Sequence, residues 1–496
     1  MSKGRVCIIG SGLGGLTCAV TLAKNGYQTT VLEQGTQVGG CLQCFNRHGA
    51  RFETGMHFIG SAQKGQTMHR VMQFLELNAD VRLSQLDTTG YEVVGLAGQH
   101  FKFANGREPF IEQMATYFPR QKDNLARYFD AVEQAAKASA ILSMSQRTAT
   151  TAIDATYLLR SINSVVDEII TDTLLARVLV GNLPLYAAVR DKTPFATHAF
   201  VTDFYNRSAF RVAGGSESMA RSLAKTTERY GGSVLTRQKA TKIVCDDSHA
   251  TGVLTDTGDY FGADYIIAAI HPMRTIEMTD TKMLRTAYRQ RISQLPQTPG
   301  VFAVYMEFMP GSVTYMNHNY YGYDGDTPWG CEYYDEEAWP KGFMYMHFCD
   351  DDGTGHTPAY AHTAVVISYM QMADVARWKD TTVGKRGQDY EDFKTRKAHK
   401  LLDALDSHFP GTKAKVKRFY TSTPLTYRDY TGTEQGSMYG IAKDIATGSA
   451  GRVTNRTKIP NLMLAGQNIN SHGMMGVIVG TIVTCRDIDQ HLNLLT

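Results

Sequence analysis

The chain has 496 residues, 43% of them hydrophobic and 20% charged, with a formal net charge of +3. That length exceeds one ordinary core and implies two or three domains or lobes. So small a charge leaves no footprint for nucleic acid, so small-molecule partners are expected. No apolar run is long enough to span a bilayer, which predicts a cytoplasmic protein, with contact at a membrane surface left open.

Residues 5–9 are a short apolar run, followed by Gly10-Ser11-Gly12-Leu13-Gly14-Gly15 and a helical pattern through Leu16, Ala19, Val20 and Ala23. Gly26 closes the helix, residues 29–32 form a second apolar strand, and Glu33 stands at its end, twenty-three residues after Gly10. This strand, glycine turn, helix, strand and acid are the parts of a dinucleotide-binding unit. Gly10 permits the tight turn, Gly12 lets the backbone approach a pyrophosphate, and Gly15 lets helix and strand pack closely. The helix N-terminus favours phosphate charge, and Glu33 would accept hydrogen bonds from a ribose. The glycine spacing argues against a signal peptide.

Eight cysteines are scattered, with only Cys41 and Cys44 close together. A single CxxC without a second pair or a histidine set predicts no metal site; free thiols are expected, with a redox dithiol beside a cofactor as the alternative. Residues 67–77 show an amphipathic helix through Met68, Val71, Met72 and Leu75. Short strands are expected at 91–94 and 101–103, a long helix over 123–143, and a second helical region over 151–183. After Gly214-Gly215 a helix runs to Tyr230. Strands follow at 234–235, 240–244, 252–255 and 260–261, then a buried strand at 264–270 ending at His271-Pro272. Strands are read at 301–308, 343–348 and 364–371, with an aromatic loop over 315–323 that suits an apolar ligand. A charged helix covers 390–408. A last strand at 462–465 leads through a glycine-rich segment, Gly466 to Gly476, into a helix over 477–485.

Three segments carry a family resemblance: Val31 to Cys41, with Glu33, Gln34, Gly39 and Gly40; Phe52-Glu-Thr-Gly-Met-His-Phe-Ile-Gly60; and Gly466 to Gly476. Together with Thr423 to Tyr427 and Gly436 to Gly440, they resemble the retinol saturase, phytoene desaturase and carotenoid isomerase family of FAD-dependent oxidoreductases. The resemblance spans nearly the whole chain, with its sharpest motifs in the first 60 residues and the last 80. It implies an α/β fold: a Rossmann-type FAD-binding domain, similar to glutathione reductase and amine oxidases, with an inserted α+β substrate domain. The implied boundaries are 1–80, 210–290 and 450–496 for the FAD-binding domain, and 81–209 and 291–449 for the substrate domain with its helical cap.

The resemblance further implies that FAD lies against Gly10, Gly12, Leu13, Gly14, Gly15, Glu33, Gln34, Gly39, Gly40 and Cys41. Gly55, Met56 and His57 would follow, with Ala240 beside the adenine and Gly466, Gln467, Gly473, Met474, Gly476 and Val477 at the ring. His57 and His472 are the candidates for protonating substrate. The carotenoid enzymes often have proline before the closing glycine, where this chain has His472. The implied reaction is on a carbon-carbon double bond of a long apolar polyene or isoprenoid. Saturation by hydride from reduced flavin is the leading form; desaturation and isomerisation are the alternatives. An amine-oxidase-like enzyme and a non-catalytic prenyl-binding escort are the rival readings. One dinucleotide fingerprint rather than two leaves a separate protein or NAD(P)H itself as candidate electron donor. An apolar lip for membrane contact is expected on 151–183 or 315–323, and the sequence sets no oligomeric state.

Overall fold

A computed structural model describes residues 2–137, 155–350, 357–448, 451–469 and 471–493. The expected helical residues 138–143 and 151–154 lie outside the described residues. Five strands form one parallel sheet in the order Ser233–Leu235, Gln28–Leu32, Arg5–Ile9, Tyr265–Ala268, Leu462–Leu464. The sheet thus gathers three stretches of chain that are far apart in sequence. Its strands read as unbroken apolar runs because both faces are covered. Val6, Ile8 and Val31 meet Ala19 and Leu22 of helix Leu13–Lys24 on one face. Cys7, Ile9 and Leu32 meet Ile243 and Val253 on the other. Those two belong to an antiparallel sheet of Ala240–Cys245, Ala250–Thr255 and Tyr260–Gly262. Helices Leu13–Lys24, Glu217–Arg229 and Gly473–Ile488 share one core through Leu16, Val20, Met219, Leu223, Met475 and Ile478. Each such buried aliphatic side chain contributes about 1.5–3 kcal/mol relative to exposure.

The second lobe is built on seven strands in the order Val416–Ser422, Gly300–Phe308, Thr363–Met370, Gly342–His347, Asn319–Tyr323, Glu92–Leu96, Gln99–Phe103. All neighbours are antiparallel except Asn319–Tyr323 beside Glu92–Leu96. Every residue of Gly300–Phe308 is buried. Val301, Ala303 and Tyr305 face a core shared with helices Lys122–Lys137, Ile162–Ile169 and Phe195–Arg207. Phe302, Val304 and Met306 face Phe393, Leu401 and Leu405 of helix Gln388–His408.

Two expectations need correction. Half of the aromatic loop over 315–323 is the strand Asn319–Tyr323, with all five residues buried. Its hydroxyls are engaged internally: Tyr321 donates to Glu92 at 2.7 Å and Tyr323 donates to the Gly181 carbonyl at 2.7 Å. Tyr315 and Met316 are buried as well, so this segment offers no apolar lip. The helical region over 151–183 is broken into Ala155–Leu158, Ile162–Ile169 and Thr173–Leu179. The breaks have a cause in side-chain caps: Ser161 accepts from Ser164 N, and Asp172 accepts from Leu175 N at 3.0 Å. Of its large apolar side chains described, only Leu159 is exposed. Among the described residues no helix is long and apolar enough to cross a membrane.

Candidate functional site

A cavity of about 740 Å³ opens where the carboxyl ends of Arg5–Ile9 and Gln28–Leu32 meet the second lobe, the usual place for a ligand on an open parallel sheet. The chain brings most of the expected residues to it. Gly10, Gly12, Leu13, Gly14, Glu33, Gln34, Gly39, Gly40 and Cys41 line it, as do Gly55, Met56, His57 and Ala240. Gly466, Gln467, Gly473, Met474 and Val477 complete that set. Gly15, Gly476 and His472 are the exceptions. A Cβ at Gly15 would stand 1.9 Å from the Gly10 carbonyl oxygen, and one at Gly476 would stand 2.6 Å from Ser471 Cβ. Both glycines are needed for packing and neither forms the cavity wall.

The wall is suited to an anion at two places. Helix Leu13–Lys24 starts at Gly12 with no side-chain cap and no acid in its first turn; helix Gly473–Ile488 starts at His472 in the same way. Their first-turn N–H groups are left for a ligand, and the helix dipoles add positive potential. A Cβ at Gly12 would meet nothing within 4 Å, so the backbone there is open to close approach. Glu33, at the strand end, is buried and accepts from Ser11 N at 3.1 Å and Gly35 N at 2.7 Å. These bonds hold the carboxylate against the cavity.

On the other side the wall includes Ile367, Tyr427, Met438 and Tyr439, together with the charged pair Arg428 and Asp429 and the polar stretch from Tyr430 to Thr433. Tyr427 lies on helix Pro424–Thr431, which is capped by Thr423, and donates to the Thr54 carbonyl at 3.1 Å. Burial first, then nearby Tyr305 and Cys41, push the Tyr427 phenol up; burial, then Tyr205 and Cys41, do the same for Tyr439. Both phenols therefore stay protonated at neutral pH and can donate.

The two histidines fare differently from expectation. His57 lines the cavity, and its buried Nδ1 has no hydrogen-bond partner among the described residues. Burial, then the Arg211 guanidinium, push it down to about 4. Arg211 donates to the His57 carbonyl at 3.0 Å and the His318 carbonyl at 2.8 Å. His472 lines a separate cavity of about 250 Å³, with its ring 4.8 Å from that of Tyr439. Burial, then Lys443, push it down to about 3. The two candidate histidines thus line different cavities, and burial disfavours the charged form of each. All eight cysteines are free, and burial, then Glu53, push Cys44 up to about 12, which disfavours its thiolate.

A Rossmann-type sheet with glycine turns at its ligand edge, facing a second lobe across the cavity, defines a nucleotide-binding protein of the kind that holds a dinucleotide cofactor. Residues 13–486 match the model of the family described as flavin containing amine oxidoreductase, and the chain belongs to that family. Among curated relatives, all-trans-retinol 13,14-reductase of Rattus norvegicus is 26% identical over 522 residues, covering 96% of this chain and 84% of that protein. Prolycopene isomerase 2 of an Oncidium hybrid cultivar is 22% identical over 486 residues, covering 93% of this chain and 79% of that one. Among solved structures, an oxidoreductase from Methanosarcina mazei superposes with a TM-score of 0.65 at 15% identity, over 97% of this chain and 99% of that one. The protein is an FAD-dependent oxidoreductase.

Tyr427, Tyr439 and Lys443 escaped the sequence reading. Their segments, Thr423 to Tyr427 and Gly436 to Gly440, are visible as motifs, but no spacing there singles out a proton-carrying side chain. A tyrosine or methionine in a strand-rich region is usually core.

Proposed function

We propose that the protein adds hydrogen across a carbon-carbon double bond of a long apolar polyene or isoprenoid, similar to retinol or a carotenoid. The observation that carries this reading is the apolar and aromatic patch of Ile367, Tyr427, Met438 and Tyr439, which lines the same cavity as the glycine segments. The names of the two curated relatives support the substrate class. FAD would be held by the glycine turn and helix N-terminus at Gly10 to Gly14, by Glu33 at the ribose, and by Gly39 and Gly40 along the diphosphate. Ala240 would sit at the adenine, and Gly466 with the Gly473–Ile488 N-terminus at the ring. The open backbone at Gly12 and the two uncapped helix ends fit that group. The FAD-binding lobe would comprise 1–80, 210–290 and 450–496, in line with the three stretches that build the parallel sheet.

When bound and reduced, FAD supplies a hydride to one carbon of the double bond. The Tyr439 hydroxyl donates the proton to the neighbouring carbon and regains one from solvent. His57, neutral in its buried setting, gives substrate a hydrogen bond and helps to orient it. Tyr427, tied to the Thr54 carbonyl, shapes the wall. NAD(P)H is the electron donor that we assign.

The test is anaerobic mixing of dithionite-reduced, FAD-loaded protein with retinol and carotenoids, with products read by mass spectrometry. A product heavier by two hydrogens is expected. An isomer of unchanged mass, or a product lighter by two hydrogens from oxidised enzyme, would replace saturation by isomerisation or desaturation. Reaction with small amines alone would overturn the substrate class.

A further inference from the structure

The smaller cavity, of about 250 Å³, is walled by ionisable side chains that nothing in the reaction above uses. Three of them present buried polar atoms without a hydrogen-bond partner among the described residues: Lys443 Nζ, His472 Nδ1 and Glu332 Oε2. Leaving such atoms unpaired is unfavourable, most of all for a charge. Three at one cavity therefore mark a place built to receive a polar group. Lys192 also lines it. Asp444, the remaining acid of the wall, is engaged as a cap and accepts from Ala446 N at 2.8 Å.

Residues of the two cavities touch. His472 belongs to the smaller and Tyr439 to the larger, and their rings pack at 4.8 Å with a tilt of 32°. A second thin link is the His271–Gln297 pair, 3.2 Å apart, with one residue in each wall. A ligand whose chain lies along Tyr439 has its end at this partition.

We propose that the smaller cavity takes the carboxylate end of an amphipathic polyene acid whose double bonds lie in the larger cavity. Lys443 supplies the ion pair and His472 Nδ1 a hydrogen bond. This rests on the polyene reading above and narrows it to acids over hydrocarbons. The electrostatics agree: burial raises Glu332, which disfavours its charged form. Burial, then Arg452, push Lys443 down to about 8, and an anion beside it would push it up again.

The experiment is equilibrium dialysis of the FAD-loaded protein against a conjugated tetraene fatty acid and against its methyl ester, near pH 7. The acid is expected to bind at least tenfold more tightly than the ester. In Lys443→Met the acid should weaken at least tenfold and the ester less than twofold, while Lys443→Arg keeps the acid within about threefold. Equal binding of acid and ester by the unaltered protein would overturn the proposal, and that comparison needs no variant to fold. Displacement of the acid by acetate would assign the cavity to a free small carboxylate and also overturn it. Turnover is read separately. If polyenes react while acid and ester bind alike, this inference fails and the polyene reading stands. If the acid binds through Lys443 but no polyene changes, the carboxylate site stands and the reaction assignment fails.

Discussion

The two lobes use their residues in opposite ways. In the parallel-sheet lobe the cavity wall includes a set of glycines that let a ligand come close and two helix ends whose N–H groups have no side-chain cap. In the seven-stranded lobe the contacts come mainly from side chains, among them Ile367, Tyr427, Met438 and Tyr439. A backbone site tolerates little change in sequence, because each glycine answers a steric demand. A side-chain site can be redrawn one residue at a time. One lobe is thus expected to hold a fixed cofactor and the other a substrate particular to this chain.

The largest effect that would test this contrast is at Gly15. Gly15→Ala forces a Cβ onto the Gly10 carbonyl, a backbone atom that cannot swing away. Loss of about 4 kcal/mol or more is expected, seen as insoluble protein or a collapsed melting temperature without FAD. Next comes Tyr439→Phe, which should lower kcat on a polyene by roughly 10²–10⁴ through loss of the proton donor. FAD absorbance and melting temperature should stay unchanged. Normal kcat in this variant would remove Tyr439 from the reaction.

The seam between the lobes provides a pH test. Glu53, in the hairpin Cys44–Arg47 and Ala50–Glu53, accepts from Ser216 N at 2.6 Å. Burial pushes its carboxyl from 4.5 up to about 7, against the lowering effect of the Ser216 hydrogen bonds. The folded value lies above the unfolded one, so the unfolded chain releases this proton first. The stability linked to it is complete below 4.5 and falls as pH rises through about 7, a loss of about 3 kcal/mol at most. Urea unfolding at acid and alkaline pH measures it, and Glu53→Gln should flatten the profile. The smallest effect on the fold is expected at Gly12→Ala, where the new Cβ meets open space. The apoprotein melt should move by less than about 1 kcal/mol. The FAD Kd should nevertheless rise at least tenfold, because the methyl group would stand where the cofactor passes. Unchanged FAD affinity would place the cofactor elsewhere.

Much of the first lobe was legible in the sequence. The strand at residues 5–9, the glycine turn, the helix and Glu33 follow one another locally, and period and turn chemistry are local properties. Most of the expected cofactor residues do meet at one cavity. The packing role of Gly15 was legible as well, whereas that of Gly476 was not, since a glycine that admits a ligand and one that admits a close backbone contact look alike in sequence. The second lobe was less legible for a physical reason. Strands covered on both faces lose the polar alternation that marks an exposed side, so Asn319–Tyr323 passed for a loop. Short helices over 155–179, each restarted by a cap at Ser161 or Asp172, passed for one region.

By itself, then, the sequence determined that the chain has a dinucleotide-binding unit with returning segments near both ends, because glycine spacing and apolar period act over a few residues. Tertiary structure alone decided which wall each side chain joins. His57 and His472 are separated into different cavities and left uncharged by burial. Tyr439 is set at the partition between them, and Lys443, Glu332 and His472 come from distant positions to one small cavity. Such convergence depends on packing between elements far apart in the chain, and no local pattern encodes it.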